Sequence, residues 1–556
     1  MQIIIPMSGF GERFRRAGYN IPKPLIEIEG KPVIAHVIDM FPNETDFIFI
    51  CNEEHLQEPD YRMRETLSQL CPTGRIISIP THKLGPAHAV LLAAEQIDRS
   101  KPTIVNYCDF TCYWNWPHFK KWVTELQCAG AVPAYRGFHP HTLGTTNYAY
   151  IREKQDWIQD IQEKKPYTNN RMNEYASSGT YYFANGQLML DACQHTIDQH
   201  LTVGDEYYVS LAYQYLLANN MPTAVYPLQH FMQWGTPEDV DEYNSWSAIF
   251  HQLCQSCTTT QEPSGTAIIP MAGLGQRFAR ENYTITKPLI PVSGKPMVIQ
   301  ATQDLPPAKQ YVFVLRQDMP EVENITTTLL QSYPNALIET VSSVTEGQAC
   351  TALIGLDALT ASKVQIMEPI MIGACDNGAL YDADKLAAML AEHETDVIVW
   401  GARGHTNALR HPQMYGWIDE EDGDIKQISV KTPLASPKTD AIVLGTFIFK
   451  RTSDLTRCIE RMMERDARIN GEFYLDTCIN DAIAIGLNCK LFTVDHYISW
   501  GTPNDLRTFE YWQSCFHKWA GHPYLLENDD RIPALERGKL AIRFAATTPE
   551  IIEAVA

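Results

Sequence analysis

IIIPMSGFGERFRRAGYNIPKPLIEIEGKP, residues 3–32, decides how this chain is read, because residues 267–296 repeat it as AIIPMAGLGQRFARENYTITKPLIPVSGKP. Eighteen of the thirty aligned positions are identical. Gly9, Gly11, Arg13, Lys23, Pro24, Gly30 and Lys31 are answered by Gly273, Gly275, Arg277, Lys287, Pro288, Gly294 and Lys295. An apolar run, then a glycine-rich loop, then Arg and Lys is the chemistry of a polyphosphate site. Glycines let backbone N–H groups approach anionic oxygens, and the cations neutralise them. The chain therefore carries two copies of a nucleotide-type site.

The repetition continues outward from that segment. Asp109 is answered by Asp376, Lys164 by Lys431, Gly179 by Gly445 and Glu206 by Glu472. Trp234-Gly235-Thr236-Pro237 is answered by Trp500-Gly501-Thr502-Pro503. The spacing stays between 264 and 267 residues, far too long for a solenoid repeat. A whole domain is duplicated: residues 1–250, then a linker at 251–265 rich in Thr, Ser and Gln, then residues 266–514. Residues 515–556, with Leu525-Leu526, Ile532-Pro533 and Ile551-Ile552, belong to neither copy.

Bulk properties exclude several classes. The chain has 556 residues, 45% hydrophobic and 20% charged, as expected of a globular protein with two or more cores. A net charge of −21 argues against a nucleic-acid partner, which calls for a basic face. No apolar run is long enough for a membrane helix, and MQIIIP is not a signal-peptide start. Cys254 and Cys257 form a lone CxxC with no second ligand pair, so the cysteines read as free thiols in a reducing cytoplasm. His82, His88, His118, His139 and His141 show no metal-ligand spacing. Tyr107, Phe110, Tyr113, Trp114 and Trp116 read as core or pocket wall.

Strands are expected at residues 3–6, 46–51, 75–79 and 102–107, alternating with helices at 31–40, 61–70 and 85–97. This order implies an α/β fold, with a mainly parallel, Rossmann-like sheet covered by helices on both faces. Right-handed crossovers place the loops after residues 6, 79 and 107 on one sheet edge, where such folds bind ligands. Residues 148–151, 157–161 and 176–183 read as antiparallel strands of a substrate-covering subdomain, with a helix near 206–217.

The order G-x-G-x-R-F, K-P-L-I, G-K-P, a strand-end Asp, an EK-P segment and a late WGTPED resembles the sugar-phosphate nucleotidyltransferases, also called nucleotide-sugar pyrophosphorylases. The likeness extends over both copies. It implies transfer of a nucleotidyl group from an NTP to a sugar 1-phosphate, with Mg²⁺ and release of pyrophosphate. The setting it implies is the cytoplasm, in surface-polysaccharide synthesis, as a monomer or homo-oligomer. By resemblance, Met7, Gly9, Gly11 and Gly85 bind the nucleotide, as do Met271, Gly273, Gly275 and Gly347. Arg13 clamps the leaving phosphates and Lys23 neutralises charge at the reacting ones. Asp109 holds Mg²⁺, and Lys164 holds the acceptor phosphate. Glu163, Ser178 and Gly179 line the sugar pocket. Arg277, Lys287, Asp376, Lys431 and Gly445 are the second copy's equivalents, with Asp376 as its metal carboxylate.

The chain also departs from the family. Gln233 and Ser499 stand where many members have a second metal carboxylate. Val430 answers Glu163, which makes the second copy's acceptor site less like the family's and the first copy the better pyrophosphorylase. Two rivals remain open: a cytidylyltransferase for phosphocholine or an alditol phosphate, and a nucleotide-sugar binding or regulatory protein with inactive halves.

Overall fold

The structure, a computed structural model, describes residues 1–145, 147–255 and 261–545. It divides into two units. The first holds Met1–Ala248, Tyr511–Pro523 and the described residues from Ile542; the second holds Ile249–Glu510 and Tyr524–Ala541. The described part of residues 515–556 is therefore divided between the two units. Cys257 and Ile551-Ile552 lie outside the described residues. Cys254 is described, half-buried, and donates its Sγ–H to the Phe250 carbonyl; the described cysteines are free thiols.

In the first unit, ten strands form one sheet. From one edge they run Tyr175–Ser177, Ala149–Lys154, Trp157–Glu163, Thr223–Leu228 and Gly130–Tyr135. Thr180–Phe183, Thr103–Asn106, Gln2–Met7, Asp46–Asn52 and Arg75–Ile79 complete it. The last four are parallel. Gln2–Met7 is buried along its whole length, as a strand with neighbours on both sides and both faces covered must be. Thr180–Phe183 enters antiparallel beside Thr103–Asn106. The antiparallel strands thus extend the parallel sheet rather than building a separate layer. Expected strand 176–183 is two strands, broken at Ser178-Gly179, where Gly179 takes φ 97°.

Helix boundaries differ from expectation at prolines and glycines. Lys31-Pro32 pairs with Glu27-Ile28 as a short ribbon, and the helix starts at Val33 with extended Pro32 as its N-cap. Gly85 adopts φ 88° before the helix Pro86–Leu92. A Cβ there would lie 2.7 Å and 2.8 Å from the backbone N and O of Tyr207. That closeness lets the Ala87 N–H donate to the Tyr207 carbonyl (3.0 Å).

The second unit repeats the plan with nine strands, in the order Leu337–Val341, Gln310–Arg316, Thr266–Pro270, Ile370–Ile372, Ala441–Phe449, Val397–Ala402, Cys489–Thr493, Asp424–Val430 and Gly416–Glu421. Gly347, at φ 135°, packs on Phe473 as Gly85 packs on Tyr207. Within this unit Arg531 of the C-terminal segment donates to Asp304 (2.6 Å), and Glu536 packs over Gly294.

The close approach at Gly85 makes a stability prediction. Gly85→Ala combines a left-handed φ with a backbone clash and should cost about 2 kcal/mol or more. Gly9→Ala, whose added carbon would meet no atom within 4 Å, should stay within about 0.5 kcal/mol. Denaturant melts of the two variants compare them directly.

Candidate active site

The glycine loop leaves the first strand at Ser8 and enters a five-residue helix, Glu12–Arg16, through Gly11 at φ 63°. That turn needs a residue tolerant of left-handed backbone. Arg13 is exposed beside the loop. Lys23 opens a short 3₁₀ turn behind Pro22, and Pro24 in that turn is buried. The Lys23 ammonium meets the Asp109 carboxylate at 2.7 Å, each side chain about a quarter exposed.

What holds Asp109 is the late WGTP segment. A two-stranded ribbon pairs Phe110–Tyr113 with His230–Gln233. The N–H of fully buried Trp234 donates to the Asp109 carbonyl (2.8 Å). A Cβ on Gly235 would stand 3.2 Å from Asp109 Oδ2, so glycine keeps room beside the carboxylate. Thr236 and Asp239 form a reciprocal capping box on the helix Pro237–Leu253. The Thr236 N–H (2.9 Å) and hydroxyl (2.7 Å) donate to Asp239, and the Asp239 N–H returns to Thr236 Oγ1 (3.2 Å). Burial pushes the Asp239 carboxyl up to about 6, against the pull of Thr236.

The acceptor-side residues come from the antiparallel strands. Glu163 ends its strand and is buried; the Ser210 hydroxyl donates to it (2.6 Å). Burial raises the Glu163 carboxyl to about 7, opposed by Ser210 and Lys164. Lys164 follows at φ 58°, a conformation non-glycine residues adopt at a cost that functional sites often carry. Its N–H donates to the Tyr148 carbonyl (2.8 Å). Its ammonium donates to the Tyr208 hydroxyl and lies 4.4 Å from that ring. Tyr208 in turn donates to Glu206.

These groups share a cavity of about 260 Å³, which Arg13, Lys23, Asp109, Glu163, Lys164 and Ser178 help to line, with Gly179 beside them. Tyr148, Tyr208, Phe231 and Gln233 complete much of the wall. Tyr107 and Phe110 also line it, whereas Trp116 is buried in the core and Tyr113 is exposed. Sequence reasoning missed Tyr148, Tyr208 and Ser210. Recurrence could have found Tyr208, because Tyr474 answers it. Gln233 accepts from the Tyr148 hydroxyl, so the position of the missing carboxylate carries a fixed amide.

The second unit reproduces the ion pair. Lys287 meets Asp376 at 2.6 Å and also donates to the Gly501 carbonyl (3.2 Å). The Trp500 N–H donates to the Asp376 carbonyl (2.9 Å). A cavity of about 310 Å³ is lined in part by Met271, Gly273, Gly275, Lys287 and Asp376. Arg316 joins that wall where the first unit has Asn52. It is buried, and its Nη1 donates to the carbonyls of Ala272 (2.9 Å) and Gly273 (3.0 Å). Arg277 is exposed. Lys431 lies at φ 62° and donates to the Met414 carbonyl (2.6 Å). Gly445 lies within a strand at φ 86°, beside Ala374.

Residues 2–226 match the family described as Nucleotidyl transferase. That match falls within the first repeat. The chain is 33% identical over 109 residues to the Bifunctional protein GlmU of Ralstonia pickettii, covering 20% of this chain and 22% of that protein. It is 37% identical over 59 residues to the 2-C-methyl-D-erythritol 4-phosphate cytidylyltransferase of Halalkalibacterium halodurans, covering 10% and 25%. The chain thus spans about a quarter or less of the curated relatives it matches. A solved nucleoside-diphosphate-sugar pyrophosphorylase from Vibrio cholerae RC9 is 21% identical, covering 44% of this chain and 99% of that one, at TM-score 0.37. The inositol-1-phosphate CTP transferase of T. maritima is 14% identical, covering 46% and 96%, at TM-score 0.35. Among the described residues, no helix is long and apolar enough to cross a membrane.

The ion pair sets the titration of Lys23. Burial lowers its pKa, but Asp109, helped by Cys108, more than offsets burial, and the net shift is upward. Asp109→Asn removes the opposing charge and leaves the desolvation. The Lys23 pKa should then fall below the ordinary lysine value. NMR titration of the lysine side-chain ¹³Cε signals reads the sign of that change.

Proposed function

We propose that the first unit transfers a nucleotidyl group from an NTP to a sugar 1-phosphate. The observation that carries this reading is the single cavity in which Arg13, Lys23 and Asp109 meet Glu163, Lys164 and Ser178. A site with cations for two phosphate groups and a carboxylate for a hydroxyl suits two anionic substrates that must be held in line. An oxygen of the sugar phosphate attacks the α-phosphorus, a new P–O bond forms, and the α–β bridge breaks to release pyrophosphate. The attacking oxygen is already anionic at neutral pH, since a phosphate monoester's second pKa is about 6. No general base is needed, and catalysis rests on positioning and charge neutralisation.

In this reading Arg13 steadies the departing phosphates and Lys164 the acceptor phosphate. Lys23, held against Asp109, supplies positive charge at the reacting phosphates. Glu163 accepts from a sugar hydroxyl. The oxygen donors of Asp109 and Gln233 suit Mg²⁺, a hard ion usually held by one or two carboxylates plus substrate phosphates. Asp239 is a poorer ligand, because one of its oxygens serves the helix cap. Bound Mg²⁺ would neutralise charge on the phosphates. The product would be a nucleotide sugar of the kind used for surface polysaccharides, made in the cytoplasm where NTPs are available. The aromatic wall of Tyr107, Phe110, Tyr148, Tyr181, Tyr208 and Phe231 supports a second reading, an acceptor carrying a quaternary amine.

A panel assay tests both. The full chain is incubated with Mg²⁺, each NTP or dTTP, and glucose, mannose or N-acetylglucosamine 1-phosphate or phosphocholine, while pyrophosphate is followed. Turnover with a sugar phosphate is expected, and Asp109→Asn should lower the first unit's turnover by on the order of a hundredfold or more. Turnover with phosphocholine alone would favour the second reading; none with any acceptor would overturn both.

The raised Glu163 carboxyl gives a pH signature. Its ionised form is the stronger acceptor of a hydroxyl hydrogen bond, so kcat/KM for the acceptor should climb as pH rises through about 7. Glu163→Gln should remove that limb and leave the acceptor phosphate's own titration near ~6.

A further inference from the structure

The second unit lacks Glu163's equivalent, and three positions around that place change together. In the first unit Glu163 sits directly across the strand pair from Ala149. In the second, Val430 sits across from Gly416 in the same register. The helices that pack there, Val209–Ala218 and Leu475–Ala484, carry Ser210 and Asp476 at their second positions. Ser210 is the residue that donates to Glu163 (2.6 Å). The two units therefore hold the same pair of positions with the carboxylate moved from the strand to the helix. The third change makes room. A Cβ on Gly416 would lie 2.3 Å from Asp476 Oδ2 and 3.1 Å from its Cγ. The Asp476 carboxylate fills the space that an alanine methyl would need.

The lysine that follows is kept. Lys431 repeats the left-handed backbone of Lys164, and Tyr474 stands 5.4 Å from its ammonium as Tyr208 stands near Lys164. Burial pushes the Asp476 carboxyl up to about 6, with Lys431 pulling against it, so it is largely ionised at neutral pH. A volume exchange alone would have put an apolar side chain at 476.

We propose that Asp476 replaces Glu163 in the second unit as the carboxylate that orients a hydroxylated phosphate acceptor, so that this unit holds its own acceptor site with Lys431. This rests on the reading that Glu163 and Lys164 hold the acceptor in the first unit. The carboxylate reaches the acceptor from the helix rather than the strand, so the two units select different hydroxyl arrangements. Val430 marks a relocated carboxylate, not a lost one.

Two full-length backgrounds separate the units: Lys164→Ala silences the first acceptor site and Lys431→Ala the second. Each is titrated calorimetrically with glucose, mannose and N-acetylglucosamine 1-phosphates, and with inorganic phosphate. In the Lys164→Ala background at least one sugar phosphate should bind. Adding Asp476→Asn should weaken it by about tenfold or more while inorganic phosphate changes by less than about twofold. Gly416→Ala, which crowds the carboxylate, should weaken the sugar phosphate in the same way. The combined exchange Gly416→Ala, Val430→Glu, Asp476→Ser, which installs the first unit's arrangement, should restore binding. Unchanged sugar-phosphate binding in Asp476→Asn would overturn the proposal, as would an equal loss of inorganic phosphate. A change only in melting temperature would overturn it too, since that is what a first-turn helix charge alone would do. If only the Lys431→Ala background binds a sugar phosphate, this proposal fails and the reading of the first unit stands. If neither background binds one, both fail.

Discussion

Each repeat depends on one ion pair closed over a long stretch of chain. Lys23 and Asp109 are 86 residues apart, Lys287 and Asp376 are 89 apart, and both pairs meet within 2.7 Å. Partly buried charges of this kind are costly alone and tolerable together. The pair needs the first parallel strands in register, the 3₁₀ turn that lifts the lysine, and the two-stranded ribbon behind the aspartate. It also needs a buried tryptophan whose backbone N–H holds the aspartate's own carbonyl. Remove any of these and a lone charge is left in a half-closed cleft. The same arrangement leaves the carboxylate partly open, so it can take part in chemistry.

Much of this was legible in the sequence because duplication works as an internal control. Gly9 alone means little, but Gly9 with Gly273, and Asp109 with Asp376, mark positions kept twice in one chain. The strands of the parallel edge were readable as buried apolar runs, and the order of elements gave the sheet edge that carries the loops. The rest was hidden for physical reasons. Pro32 reads as an early helical residue, yet its extended backbone makes it the cap. Residues 176–183 read as one strand, because nothing in the pattern shows that Gly179 breaks the ladder. Ser210 and Asp476 could not be recognised as partners of strand residues, since only the tertiary contact relates position 210 to 163 or 476 to 416. The motif WGTP was visible, but its work, holding the aspartate from behind, was not.

The two units show how a duplicated site diverges without losing its frame. Both backbones around Lys164 and Lys431 keep the same left-handed turn, although the ammonium donates to the Tyr208 hydroxyl in one and to the Met414 carbonyl in the other. Change is concentrated in what stands next to it. Arg316 in place of Asn52 adds a buried cation below the second glycine loop, and its bonds to two loop carbonyls replace the single one that Asn52 makes to Ser8 (3.4 Å). Small volumes matter in such exchanges, because a dense interior accepts a new side chain only where a neighbour gives space.

Tyr511–Pro523 belongs to the first unit. The Tyr511 hydroxyl bridges both backbone groups of Phe231, accepting from its N–H (3.1 Å) and donating to its carbonyl (2.8 Å). Ser514 meets His230 (3.0 Å), and Trp519 packs on His36 and Trp234. The ribbon that steadies Asp109 is thus finished by residues made more than 250 positions later. Ribosomes add about 5–20 residues per second, so for tens of seconds the nascent first repeat has its strands but not this backing. Vectorial synthesis would then deliver a sheet early and a completed site only after the second repeat has been made.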